Sequence, residues 1–303
     1  TIEDAIEIIN KNLVEVSVSV SETTWFDSTV ETKKTYSGIV LEKNEDEILI
    51  LTMISVADPS DSIKVKFDNG FESEAFIKGK LQRDKLVVLS VPAAEMSVVH
   101  LMGFSPCEIA EPEDIKSGVE FIAAGSPLGV EKTYDFGNIG YTIKYESSLD
   151  GAVQCFYSKV DASEEFGTFA FDLDGRLLGI ALSSDTQKII GTRFVYTGSL
   201  TRLIDDMKNA ETSSYIGIKG SNMINPLGVY VEDIDMDSPA YLAGLKKGDI
   251  IVGAGEKAIS SNDDLNAFMS ELRPEETVTL KILRMTAREG FAEMEMEITA
   301  AVR

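Results

Sequence analysis

A chain of 303 residues is long enough for two or three separately cored domains, and 44% hydrophobic content at a mean hydropathy of 0.00 fits well-formed cores. With 51 acidic against 28 basic residues the net charge is −23, which argues against nucleic acid and against an anionic bilayer as partners. No run approaches the ~18 apolar residues of a membrane span.

The chain begins at Thr1 without Met, as expected of a piece of a longer protein, and any upstream signal or anchor would lie outside this sequence. Thr1 to Asn12 predicts a helix, with Thr1 as cap and Ile2, Ala5, Ile6 and Ile9 on one face. The pattern then turns to short strands: 14–20, 37–41, 48–51, 63–67, 71–77, 86–91, 119–124, 168–171 and 177–182. Asp68-Asn69-Gly70 and Asp174-Gly175 supply turn chemistry between them. Many short strands with almost no long helix predict a mainly β fold. Leu200, Leu203, Ile204 and Met207 make a helical stripe behind a Ser199 cap, and 209–214 reads as a polar linker. Beyond it lie strands at 216–218 and 228–231, a helical segment over 237–244 and a strand at 250–254. A Ser261-capped helix over 262–272 with an acidic first turn follows, then strands at 278–284 and 292–298.

Cys107 and Cys155 lack CxxC spacing and read as free thiols, since a chain this large does not need a staple. The only histidine, His100, has no ligand cluster around it in sequence. Asp233, Asp235 and Asp237 lack the Gly and distal Glu of a calcium loop, so no metal or cofactor is expected. Met294 and Met296 alternate with Glu as in a half-buried strand.

The ordered segments Tyr36-Ser37-Gly38-Ile39-Val40-Leu41, Leu51-Thr52-Met53-Ile54-Ser55, Asp68-Asn69-Gly70, Leu86-Val87-Val88-Leu89, Gly125-Ser126-Pro127-Leu128-Gly129 and Asp172-Leu173-Asp174-Gly175 resemble HtrA/Deg-type trypsin-like serine proteases. Near the C-terminus, Ser238-Pro239-Ala240, Ala243-Gly244-Leu245 and Lys247-Gly248-Asp249-Ile250 are similar to the PDZ domain of that family. The resemblance implies a chymotrypsin-like double β-barrel over 1–208, a linker over 209–214 and a PDZ domain over 215–303.

Activity in that family rests on a Ser-His-Asp triad. The matching positions here are Ser55 for the histidine, Lys85 for the aspartate and Phe166 for the nucleophile. Asp84 is one residue early and would face the other side of a strand. Glu164 and Glu165 precede Phe166, where carboxylates oppose an oxyanion. The expectation is therefore a pseudoprotease. A Ser55–Lys85 dyad giving an active endopeptidase is the rival reading.

What the resemblance leaves functional is the PDZ groove. Tyr215, Ile216, Gly217 and Ile218 match its carboxylate-binding loop and first groove strand, and Leu265, Phe268 and Met269 are candidates for its helical wall. A peptide or protein C-terminus can add to the strand edge while backbone N–H groups hold its carboxylate. The competing possibility is a groove that is closed or self-occupied. The expected role is a sensor, adaptor or regulator in the bacterial cell envelope or outside the cell. Members of the family often trimerise through N-terminal aromatics, which makes Trp25 and Phe26 candidates for an oligomer contact, with loop packing as the alternative. A homotrimer is compatible with this, and a purely structural subunit of a mixed oligomer with an active relative is the second rival reading. A membrane would be reached only through an anchor absent from this chain.

Overall fold

The computed structural model describes the chain except residues 24–28, 55–61, 82–84, 95, 127–131, 149, 164, 183–190, 287–289 and 303. It divides into two compact units, Thr1–Thr142 with Cys155–Glu211, and Ile143–Gln154 with Thr212–Arg303. The second unit thus takes in a segment that the sequence boundaries place inside the first domain.

Helix α1 (Ile2–Asn12) starts where Thr1 and Asp4 cap each other's backbone N–H groups in a capping box. Ala5 and Ile9 are buried as the spacing predicts, but Ile2, in the first turn, is exposed. Six strands follow: β1 (Leu13–Thr23), β2 (Thr29–Lys43), β3 (Glu47–Met53), β4 (Ser62–Lys66), β5 (Glu72–Leu81) and β6 (Leu86–Pro92). They close into a barrel in the order β1-β2-β3-β6-β5-β4. Alternation in β4 puts Ile63 and Val65 inside and Lys64 and Lys66 outside, which fixes its register with β1. The barrel encloses a core that includes Tyr36, Ile50, Phe67 and Leu89. At its mouth, Glu47 receives Lys78 and the Ser90 hydroxyl. Burial resists ionisation there, but those two donors outweigh it and hold the Glu47 carboxyl below its ordinary range.

After the short helix α2 (Val98–Met102) come β7 (Glu120–Gly125), β8 (Thr133–Asn138), β9 (Tyr141–Ser148), β10 (Gly151–Ser158), β11 (Thr168–Phe171), β12 (Leu177–Ala181) and β13 (Thr192–Tyr196). Within the first unit they order as β8-β7-β11-β12-β13-β10, around Phe121, Phe156, Phe194 and Leu178. The three phenylalanines meet at centroid separations of 5.1–5.6 Å, one pair stacked and two edge-on. Asp172 ties the following turn, accepting from the Asp174 and Arg176 N–H groups and pairing with the Arg176 guanidinium. Cys107 and Cys155 are free thiols. Helix α3 (Thr201–Lys208) buries Ile204 and Met207, but its N-cap is Leu200, not Ser199, and no side chain caps it. A preceding 3-10 turn (Thr197–Leu200) already runs helically through Ser199, leaving no extended cap position there.

The second unit contains β14 (Ser214–Tyr215), β15 (Ile218–Ile224), β16 (Leu227–Ile234), α4 (Pro239–Leu242), β17 (Ile250–Ala254), β18 (Lys257–Ala258), α5 (Asn262–Glu271), β19 (Thr277–Thr286), β20 (Gly290–Thr299) and β21 (Ala301–Val302). The sheet runs β15-β16-β17-β19-β20, with β14 paired to β21. Ser213 and Ser214, expected in a solvated linker, are buried: Ser214 pairs with Val302 and its hydroxyl donates to the Leu272 carbonyl. Asp249 of the Lys-Gly-Asp-Ile run is 1% exposed and receives Nε and Nη2 of Arg284 at 2.7 and 2.6 Å. Arg284 also donates to the Gly244 carbonyl and Asp249 accepts from the Lys246 N–H, so one ion pair joins β17, β19 and the turn after α4. No helix among the described residues is long and apolar enough to cross a membrane.

Candidate functional site

Each unit has a place, among the described residues and near the expected sites, where backbone N–H groups gather on one acceptor. The first is the turn from Ser163 to Thr168. Ser163 Oγ accepts from the N–H groups of Glu165 and Phe166 at 3.3 and 3.2 Å. The turn is closed further by Thr168, whose hydroxyl accepts from Ser163 N–H and donates to the Ser163 carbonyl. Phe166, the residue expected at the nucleophile position, presents a ring 5.8 Å from that of Tyr36, packs on the first barrel's core and accepts Ser37 N–H through its carbonyl. Burial, and after it the Glu165 carboxylate, push the Tyr36 phenol above its ordinary range. The surroundings of this turn are thus apolar and anionic. Neither quality stabilises an oxyanion.

Of the other expected triad positions, only Lys85 lies among the described residues. Lys85 is exposed, in a left-handed backbone conformation (φ 57°), with its carbonyl accepting from Ile54 N–H. Ser55 and Asp84 lie outside the described residues, as do Glu164, Trp25 and Phe26. His100 sits on α2 with its ring 4.4 Å from that of Phe71, and its Nδ1 is buried without a hydrogen bond among the described residues. It is a packing residue of the first barrel.

The second place is the loop Tyr215–Ile218. Gly217 adopts φ +90°, and a Cβ there would lie 2.2 Å from Ser238 Cβ, so only glycine passes under Ser238. The Ile216 carbonyl accepts from Ala240 N–H and the Gly217 carbonyl from Asp235 N–H, which turns the N–H groups of Ile216, Gly217 and Ile218 to the other side. All three converge on one carboxylate: Asp150 Oδ2 accepts from Ile216 at 2.8 Å, and Oδ1 accepts from Gly217 at 2.8 Å and Ile218 at 2.9 Å. Asp150 N–H returns a bond to the Ile218 carbonyl at 2.6 Å. Three charge-assisted backbone donors on one carboxylate form an anion nest.

Of the expected groove residues, Ile216, Gly217 and Ile218 come together at this nest, while Tyr215 pairs with Ala301 in the β14–β21 ladder. Leu265 and Met269 point into the core with Ile216 and Ile218, and Phe268 is half-buried at its margin. Asn266, absent from the sequence reading, faces the chain beside the nest: its side-chain amide accepts from Ala152 N–H and donates to the Ala152 carbonyl, both at 3.3 Å. Asp150 was missed as well. Its only signal is the Asp150-Gly151 turn dipeptide, between strands β9 and β10 whose mixed polar patterns carry no clear alternation.

Comparison with known proteins agrees with this layout. A family profile described as PDZ domain matches residues 178–294. The solved structure of the HtrA-type protease AlgW with a decapeptide superposes with a TM-score of 0.65 at 17% identity, covering 100% of this chain and 99% of that one. The serine endoprotease from Yersinia pestis gives 0.63 at 21%, covering 100% and 98%. The fold is HtrA-type, with a PDZ domain. Among curated relatives, the Serine protease Do-like HtrA of Bacillus subtilis (strain 168) is 26% identical over 280 residues, covering 82% of this chain and 60% of the relative. A probable periplasmic serine endoprotease DegP-like of Rickettsia prowazekii (strain Madrid E) is 27% identical over 282 residues, covering 82% and 50%. The chain therefore spans 50–60% of the length of these relatives.

Proposed function

We propose that this HtrA-type chain has lost peptide hydrolysis and works through its PDZ groove, binding C-termini of peptides or proteins as a sensor, adaptor or regulator outside the cytoplasmic membrane. The observation that carries the reading is the Ser163–Thr168 turn. A phenylalanine stands where the nucleophile is required, and the adjacent N–H groups are bonded to a hydroxyl of the same turn. The Phe166 ring has no lone pair to attack a carbonyl, and the ring of the single histidine, His100, packs tilted against Phe71 at 4.4 Å. The positive side of the reading is the loop 216–218, whose three convergent N–H groups already hold a carboxylate. Related structures of AlgW contain a decapeptide or a tripeptide, and DegP-like relatives are described as periplasmic, which supports both the ligand class and the location.

The test is a casein and fluorogenic-peptide assay on the full chain, with Ser55→Ala and Lys85→Ala beside it. The expected result is no turnover in any of the three. Turnover by the unmodified chain that either substitution abolishes would establish an active site of a different kind.

A further inference from the structure

The carboxylate in the nest belongs to the chain itself. We propose that Asp150 is an internal ligand of the PDZ groove, so that an external C-terminus binds only by displacing residues 150–152. The inference rests on the peptide-binding reading above and states how that binding is held in check.

The geometry is that of a ligand in place and not of a passing contact. Asp150 is 5% exposed, and its carboxylate uses both oxygens on the three N–H groups of the loop. The chain then continues along the strand edge, with Gly151 opposite Lys219 of β15 in parallel register. Ala152 is held through both its N–H and its carbonyl by the side chain of Asn266 on α5. Segment 150–152 therefore lies between β15 and α5, the two elements that an added strand would use.

Its direction is the reverse of an external ligand's. A peptide whose terminal carboxylate sat at 216–218 would end at the start of β15 and so run antiparallel to it. The internal segment starts there through a side chain and runs parallel. Carboxylate and main chain are thus both supplied, in the opposite order, and the two ligands compete for the same donors.

The sequence is fitted to this arrangement at two positions. Asp150 has φ +60°, a left-handed conformation that aspartate tolerates better than most residues. A Cβ on Gly151 would lie 1.5 Å from Asn266 Oδ1, so any other residue there pushes the amide away from Ala152. Because the segment is tethered on both sides, its effective concentration at the nest is set by the chain and is of millimolar order for short connections. A competitor's apparent affinity falls by the fraction of molecules in which the groove is free.

The experiment uses the full chain, unmodified and as Asp150→Ala and Gly151→Val. Each is titrated with labelled decapeptides that end in Leu, Val, Phe or Ala with a free carboxylate, and amide exchange at Ile216, Gly217 and Ile218 is followed without peptide. Thermal unfolding checks that each variant is folded. Either substitution is expected to tighten peptide binding at least tenfold and to speed exchange of the three amides by a similar factor. Equal affinity in all three chains with unchanged exchange overturns the internal ligand while leaving the groove as a peptide site. If no chain binds any peptide, the peptide-binding reading fails, and exchange still decides on Asp150: faster exchange in the variants upholds the contact, and unchanged exchange refutes it. Gly151→Val leaves the carboxylate in the chain, so agreement between the two variants shows displacement of a segment and not loss of one charge.

Discussion

The turn at Ser163–Thr168 and the loop at Tyr215–Ile218 set the same problem and solve it over different distances. Both direct consecutive backbone N–H groups to one point. In the first, the acceptor is the Ser163 hydroxyl, two and three residues before its donors, so the plug is part of the turn. In the second, the acceptor is the Asp150 carboxylate, 66 to 68 residues before its donors. A local plug is lost only if the turn unfolds, whereas a distant one can leave while its host stays folded. The comparison teaches that the 163–168 turn is closed by construction, whereas the 216–218 loop is closed by a group that, on the proposed reading, can leave.

That contrast can be attacked from several sides. The largest effect is expected from Asp249→Ala, which strands Arg284 and removes the acceptor that holds Lys246 N–H in the turn after α4. Breaking a buried pair in this way costs about 3–5 kcal/mol, and urea unfolding should show the second unit melting early with the first unaffected. Phe166→Ser comes next. Removing a half-buried ring from the first barrel's core should cost about 2–3 kcal/mol, below the value for a fully buried ring. Hydrolysis of fluorogenic peptides should remain undetectable, because the restored hydroxyl has no imidazole beside it; measurable turnover would mean the turn is less closed than its hydrogen bonds indicate.

Ser163→Ala frees the Glu165 and Phe166 N–H groups at a cost of about 1 kcal/mol, read as a lower melting temperature, with no change in peptide affinity. A parallel change in affinity would join the two sites and end the comparison. The smallest effect concerns pH. Because the folded-state carboxyl of Glu47 lies below its unfolded value, its contribution to stability is complete above the ordinary glutamate range and is lost as pH falls through the folded value. Glu47→Gln should therefore flatten the acid limb of a stability-versus-pH curve slightly, and an unchanged limb would show that Lys78 and Ser90 do not favour the charged form.

Much of the fold was legible because its signals are local. Ile63 and Val65 alternate with lysines, Thr1 and Asp4 cap one another, and Ser261 precedes two aspartates, so β4, α1 and the start of α5 could be read from neighbours alone. The loop 216–218 was legible for another reason, since Gly217 and the Ser-Pro-Ala run that packs on it both carry sequence marks. Asp150 was not. Its role depends on β9 and β10 forming a hairpin at all, and a mixed polar run such as Tyr141–Ser148 shows neither period. Ser163 was passed over because its work is done through Oγ on N–H groups two and three residues later, which no composition or period records. Ser199 misled in the other direction: Ser before an apolar stripe is a cap signal, but a 3-10 turn had already started the helix.

The measurement that bears most directly on the whole account is a titration of the full chain with one apolar-ended decapeptide in two forms, free carboxylate and C-terminal amide, with mass analysis of the peptide afterwards. The account predicts saturable binding of the free acid, at least tenfold weaker binding of the amide, and full recovery of both peptides intact. Equal binding of the two forms, or recovery of cleaved peptide, would contradict it.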